Sequence, residues 1–555
     1  MNTQLSFSVI CFLFISLPHF TEAEKLKPMV DFRDKLGDPS KALTPEIFKP
    51  EGTLWLDHTS GYLVPKYLYY DQHPEYFALR LNGQRIPKTT RDSYIHLCLS
   101  HPEVVRIATE RLLGWIRLQP DKTYFCVTQG DGLDWCQCEN CRKMDIQPGN
   151  YSDRLLQFVN KLARVVQAEF PDKILLTAAY CGTDVAPVKG KPEKNVWVMY
   201  APYWGLALSE VHPLTHPVNA EALAQFNAWL KVAPENMAIY DYNLNYCPSW
   251  DAMAEKIKYY ADKGIRGVWF CGEPMNFRDL FHHVVREKMM KDPNQDPEKL
   301  KQDFVRSNYG PAAPYVLEYL TLVKERLEKG YPRGIHNRHM PLNFYTDDQV
   351  GERCRLLFEK MIAACAGQPA LEKKFVAEKE LFLKDWAAAE TSERARLEYQ
   401  PTEPEKVPGG LRFPATAFSG GKGPEKQSWY CEPRIAMVIY AAKGPYPSRL
   451  ETSFSLEESL ASKPARLKVE GQDADKDLPP PTPIRITLNG RIIFEGPCGF
   501  VKRGWSWRTF EIPAGVLQAG KNTLEIVNTM DSRRLDHYWF SLAEAQLLFE
   551  PERRK

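Results

Sequence analysis

Several signatures that would settle a function at once are missing from this 555-residue chain. Past the N-terminal stretch there is no apolar run long enough to cross a bilayer, so no membrane span is expected. No glycine-rich phosphate loop follows any strand-like run, which leaves a nucleotide-binding fold without support. Neither a serine-hydrolase elbow nor a His-Glu-x-x-His zinc motif occurs, so those two hydrolase classes lack their machinery. Charge of one sign is also lacking. With 72 Lys and Arg against 70 Asp and Glu, the net +2 gives no electrostatic argument for nucleic acid or an anionic membrane surface. We find no internal repeat and no low-complexity tract.

What is present begins with an export signal. Leu5 to Leu17 is apolar and of signal-peptide length, although no lysine or arginine precedes it. Thr21-Glu22-Ala23 offers small residues at the two positions a signal peptidase reads, so residues 1–23 are expected to be removed after Ala23. Cys11 lacks the small residues that a lipoprotein signal places before its cysteine. The expectation is a secreted or periplasmic protein with a free N-terminus.

Of the 13 cysteines, twelve then remain, and in an exported chain disulfides are the default. Cys136, Cys138 and Cys141 have a spacing that could seat a metal, but a structural zinc needs a fourth ligand. No histidine lies within the next twenty residues, so disulfides or packed thiols are favoured over zinc, and no cofactor is expected.

Length implies two or three domains. From about residue 50 to 300, strand-like runs (Tyr124–Thr128, Ile174–Tyr180, Val196–Ala201, Met237–Tyr242, Gly267–Cys271) alternate with amphipathic helices. One of these helices, opened by Ser152-Asp153, aligns Leu155, Leu156, Val159, Leu162, Val165 and Val166 on a face. Such alternation predicts parallel strands with right-handed crossovers, and its period favours an α/β fold of (β/α) TIM-barrel type over residues 24–300. Residues 301–398 read as helices packed on the barrel, and the proline- and glycine-rich 399–428 as a linker. Residues 429–555 read as a β-sandwich of jelly-roll type, with a tight hairpin at Asn489-Gly490. Its Trp505, Trp507, Tyr538 and Trp539 could be a sugar platform or core, and core is the commoner use.

In barrels of parallel strands, chemistry sits where strands end and loops begin. Three predicted strands end at acids: Asp131 in Gln129-Gly-Asp-Gly, Asp241 between Tyr240 and Tyr242, and Glu273 before a proline. Each also has a plainer role open to it, as turn former, ion-pair partner or helix-start residue. His58, Trp135, Tyr180, Tyr200, Tyr203, Trp204 and Tyr242 lie at or near strand ends and are candidates to line a binding cleft.

His73-Pro-Glu75-Tyr76-Phe77-Ala, Asn82-Gly83-Gln-Arg85, Leu97-Cys98-Leu-Ser-His-Pro-Glu103-Val, the Asp131-Gly segment with its Cys-x-Cys-x-x-Cys, and Tyr309-Gly310-Pro-Ala-Ala-Pro occur in order. This set resembles the family of domains DUF4838 over about residues 55–325. That family is similar to TIM-barrel glycoside hydrolases, in particular relatives of α-glucuronidases and β-hexosaminidases. The resemblance implies an exported carbohydrate-active protein with an oligo- or polysaccharide as partner. Only about thirty residues separate the signal from Trp55, against the eight strand–helix units of a full barrel. The barrel is therefore expected to be incomplete on its N-terminal side or opened by irregular strands.

Glycosidic cleavage takes two carboxyl groups across the bond, or one that orients the substrate's own acetamido group. Asp131 with Glu273 or Asp241 would supply them, and the two tyrosine rings beside Asp241 would raise its pKa as a general acid requires. The alternative is a non-catalytic carbohydrate-binding protein, a degenerate barrel joined to a sandwich. A redox or metal module on Cys136, Cys138 and Cys141 is a third reading.

Overall fold

The computed structural model describes residues 28–31, 35–39, 57–80, 83–202, 212–242, 250–265, 267–271, 284, 286–329, 340, 342–427, 432–443, 447–473, 481–502, 504–532 and 538–550. The signal-like residues, Tyr203, Trp204 and Glu273 lie outside these, as does the side chain of Tyr242.

Six parallel strands form one sheet: β1 (Val30–Asp31), β2 (Tyr124–Cys126), β3 (Ile174–Ala179), β4 (Val196–Tyr200), β5 (Met237–Tyr242) and β6 (Gly267–Cys271). Their spatial order is β1-β6-β5-β4-β3-β2. Apolar alternation selects these runs, and each crossover between parallel strands is long enough to hold a helix. The sheet curls into a half-barrel. Its helix-facing side chains include Phe125, Leu175, Val196, Val198, Ile239 and Val268, which join the clusters built with the outer helices. The alternate residues Tyr124, Cys126, Leu176, Met199, Ala238 and Trp269 form a separate inner cluster with Leu36.

Six strands stand among the described residues where a full barrel has eight, and the first is two residues long. The N-terminal segment nevertheless meets both edges of the sheet. Val30 and Asp31 pair with Gly267 and Val268 of β6. A few residues on, Leu36 bridges Tyr124 of β2, and the Gly37 N–H donates to the Tyr124 carbonyl at 2.8 Å.

The helix opened near Ser152 runs over Ser152–Glu169, but its first turn is capped differently from the expectation. Asn150 Oδ1 accepts from the Ser152 N–H at 3.0 Å, and the buried Asp153 carboxylate instead takes the backbone N–H groups of Val188, Lys189 and Gly190 at 2.8, 3.0 and 2.7 Å. A first-turn acid thus holds the next loop onto the helix. Beyond β6 the described chain is helical, through Pro297–Tyr309, Ala313–Glu328, Val350–Ala364 and Pro369–Glu398.

The C-terminal region is antiparallel. One sheet runs Lys422–Gln427, Arg434–Ile439, Phe540–Phe549, Ala465–Asp473, Ser506–Ile512, with Gly410–Pro414 also paired to Phe540–Phe549. The other runs Arg491–Pro497, Pro483–Leu488, Gly520–Asn528, Arg449–Leu456, Ser419–Gly420. Inward residues of both sheets, among them Met437, Phe454, Leu467, Ile486, Phe510, Ile526 and Leu542, share one buried cluster. The Asn489-Gly490 hairpin forms as expected, with φ of 52° and 74°. The stretch read as a linker does not behave as one. Residues 405–427 supply strands to both sheets, because proline and glycine are tolerated on short edge strands where fewer N–H groups must be paired.

Candidate functional site

The C-terminal end of β2 is bound along one side by the segment around His58. Thr59 Oγ1 donates to the Cys126 carbonyl at 2.9 Å, Ser60 Oγ to that of Thr128 at 2.8 Å, and Thr128 Oγ1 to that of Asp57 at 2.7 Å. This ladder of short hydroxyl side chains does the work of a neighbouring strand and sets both Asp57 and His58 beside the strand end.

Asp131 sits in the loop that follows. Its N–H donates to the Ser93 carbonyl at 2.7 Å, and a Cβ on the preceding Gly130 would fall 2.5 Å from the Ile95 carbonyl oxygen. The glycine is therefore required by the close approach of the two loops. The Asp131 carboxylate keeps 19% of its side-chain surface exposed, which makes it accessible at the rim.

Three groups converge on it. Tyr180, just past β3, donates its hydroxyl to Asp131 Oδ1 at 3.1 Å. His58 Nε2 stands 4.0 Å from the same oxygen, and the His58 and Tyr180 rings lie 5.9 Å apart. His58 Nδ1 lies 3.0 Å from the Gln129 carbonyl, an oxygen that can only accept, so Nδ1 carries the proton and Nε2 faces the carboxylate. The third is Tyr94, whose phenol pKa is raised by burial and then by the charge and hydrogen bond of Asp131. Asp57, the residue before His58, brings a second carboxylate. Asp57 Oδ2 accepts from the Tyr240 hydroxyl of β5 at 2.5 Å. Its charge, after burial, also pushes up the thiol of Cys126.

Of the residues singled out in the sequence, the structure thus brings together His58, Asp131 and Tyr180. It turns three others away. Asp241 is fully buried on the helix-facing side of β5, where it accepts from Lys256 Nζ at 2.9 Å and from the Tyr260 hydroxyl at 3.1 Å. Tyr240, which precedes it, does not enclose it, because successive strand residues point to opposite faces. Burial, then the Asp241 charge and hydrogen bond, instead raise the phenol of Tyr260 well above its usual range. Tyr200 points the same way and donates to the Ala222 carbonyl at 2.7 Å, fully buried. Trp135 is core as well: it stacks on Tyr151 at 5.0 Å and donates Nε1–H to the Cys181 carbonyl at 2.9 Å.

Sequence reasoning misses Asp57, Tyr94 and Tyr240 as site residues. Period-two alternation through Ile239, Tyr240 and Asp241 is the available signal, since it sends the tyrosine and the acid to different faces.

The cysteine motif has a neighbour the spacing does not disclose. Cys98 lies forty residues upstream of Cys138 with the two sulfurs 3.6 Å apart. Among the described residues every cysteine is free, so the expected disulfides are not formed there. In the C-terminal region Trp539 is buried, whereas Trp507 is 40% exposed beneath Lys468, whose Nζ is 5.0 Å from the ring centroid. No described helix is long and apolar enough to cross a membrane.

This half-barrel, with an acid at its rim, belongs to a defined class of sequences. The chain is a member of the DUF4838 family, a domain of unknown function, which matches residues 25–321. No curated protein matches it. Among solved structures it is similar to a GH138 enzyme targeting pectin rhamnogalacturonan II, at 8% identity and a TM-score of 0.30 over 53% of this chain and 61% of that one. It is similar to a Paenibacillus cycloisomaltooligosaccharide glucanotransferase at 9% identity and a TM-score of 0.22, over 87% of this chain and 44% of that one. A third is a family 35 carbohydrate-binding module from Clostridium thermocellum, at 14% identity and a TM-score of 0.18 over 25% of this chain and 97% of that one. The chain spans less than two thirds of the length of either enzyme.

Proposed function

We propose that the protein hydrolyses O-glycosidic bonds, with Asp131 as the carboxylate that attacks the anomeric carbon, activates water or orients a substrate acetamido group. The observation that carries this reading is the environment of Asp131: accessible at the C-terminal rim of parallel strands, and held by the Tyr180 hydroxyl with His58 Nε2 alongside. Donation from the Tyr180 hydroxyl fixes the orientation of this carboxylate at the rim. Glu273, which follows β6, is the candidate partner acid, since glycosidic cleavage needs a second carboxyl group across the bond. Asp241 is left out of the mechanism because Lys256 and Tyr260 already occupy its oxygens on the far side of the sheet. Tyr203, Trp204 and Tyr242 remain candidates for the sugar subsite.

We further propose that residues 1–23 are a cleaved export signal and that the C-terminal sheets form a jelly-roll sandwich whose exposed Trp507 supports sugar binding. A protein acting on polysaccharide fragments outside the cytoplasm would use both. N-terminal sequencing of the exported product tests the first of these.

The central test is a panel of aryl glycosides offered to the full chain and to Asp131→Asn. Turnover of one sugar class by the wild type, lost by about 10²- to 10⁴-fold in the variant, is the expected outcome. Equal turnover by both would remove Asp131 from the chemistry. Binding of oligosaccharide without any turnover would favour a non-catalytic carbohydrate-binding role.

A further inference from the structure

We propose that Cys98, Cys136, Cys138 and Cys141 together hold one zinc ion in a closed, structural site. Their four sulfurs all lie within 4.8 Å of one another. Cys98 Sγ is 3.6 Å from Cys138 Sγ and 3.8 Å from Cys141 Sγ. A tetrahedral zinc with Zn–S bonds of about 2.3 Å places its sulfurs about 3.8 Å apart, the separation at which Cys98 already stands from Cys138 and Cys141.

Other uses of four cysteines fit less well. A disulfide brings two sulfurs to about 2.05 Å, and here Cys98 stands almost equally far from two partners, with no pair singled out. An iron–sulfur cluster spreads its thiolates over several iron atoms around an inorganic core, and a 4.8 Å span leaves no room for one.

The surroundings suit thiolates. The Leu79 N–H donates to Cys136 Sγ at 3.3 Å and the Cys141 N–H to Cys138 Sγ at 3.4 Å. The Ser100 hydroxyl sits among the other contacts, 3.2 Å from Cys141 Sγ, 3.5 Å from Cys98 Sγ and 3.7 Å from Cys138 Sγ. The two backbone N–H donors orient the ligating sulfurs and offset their charge. Cys98, Cys136 and Cys141 are buried and only Cys138 reaches the surface. Four protein ligands leave no open position for water or substrate, which makes the ion structural and not catalytic. On binding, the four thiols release their protons to solvent.

The ion would tie two segments with no disulfide between them: the turn around Cys98 that leads into helix Pro102–Leu118, and the loop from β2 that carries Asp131. Metal binding in such a place is folding free energy, because the unfolded chain has no preformed site.

The test is made on the full chain, purified without metal affinity or added metal. Elemental analysis is expected to find about one zinc per chain that survives gel filtration, in line with a single four-ligand site. Cys98→Ser and Cys138→Ser should lower that content to background, while Cys498→Ser in the C-terminal sheets should leave it unchanged. Because the serine variants can unfold for other reasons, the wild type carries an independent readout. Replacing the ion with cobalt(II) should produce the intense sulfur-to-metal bands of a tetrahedral tetrathiolate. Zinc lost on gel filtration, iron in place of zinc, or wild-type protein whose intact mass shows these cysteines in disulfides would each overturn the assignment.

Discussion

Tyr180 and Asp131, from different strand ends and 49 residues apart in sequence, meet through a 3.1 Å hydrogen bond. It couples the loop after β2 to the end of β3 and fixes the orientation of the carboxylate. Removing the hydroxyl in Tyr180→Phe should leave Asp131 misoriented but present. A bond to a charged group is worth about 1.5–3 kcal/mol, which corresponds to a roughly ten- to hundredfold loss in kcat/KM. The loss should be smaller than in Asp131→Asn, and thermal stability should change little in either variant.

The ion pair of Asp241 with Lys256 predicts a different pattern. Both side chains are almost wholly buried, so Asp241→Asn strands the Lys256 ammonium in the core. Breaking a buried pair from one side costs about 3–5 kcal/mol, and chemical denaturation should show a loss of that order. Changing both partners, as Asp241→Asn with Lys256→Met, should recover part of it. Folded single-variant protein should retain its turnover. A hundredfold loss of turnover at unchanged stability would return Asp241 to the mechanism.

Tyr94 supplies a pH-dependent readout. Its folded pKa lies above the ordinary tyrosine value, first through burial and then through the charge and hydrogen bond of Asp131. A group that holds its proton more tightly when folded contributes stability fully below the unfolded pKa, near 10, and loses it as pH rises through the folded value. Wild type should therefore lose stability in the alkaline range more steeply than Tyr94→Phe. In Asp131→Asn the Tyr94 midpoint, followed by NMR of ring-labelled tyrosine, should fall toward 10 without reaching it, since burial remains. An unmoved midpoint would separate the two side chains.

Gly130→Ala tests the loop that presents Asp131. The added methyl would meet the Ile95 carbonyl at 2.5 Å, so one of the two loops must shift. A destabilisation of about 1–3 kcal/mol is expected, as for other overpacked sites. Turnover should fall with it, measured at a temperature where the variant is still folded.

Strand and helix positions in the parallel sheet are legible from alternation and 3.6-residue spacing, and β5 and β6 match the predicted runs residue for residue. The rim position of Asp131 follows from a strand stopping at Gly-Asp-Gly. Asp241 and Tyr200 read as rim residues because they end strands, yet side-chain parity puts both under the helices. The 399–428 stretch reads as a linker because proline and glycine interrupt helices, but short edge strands accept the same residues.

Local patterning, then, settles the order and type of the elements of the parallel sheet from β2 to β6, since each is selected by its own periodicity and end residues. Partners distant along the chain are left to the folded arrangement: Asp57 with Tyr240, Cys98 with the Cys136–Cys141 loop, and Lys256 with Asp241. Those pairs arise from how the sheet curls and from which of its faces the helices cover, and neither is encoded within a window of neighbouring residues.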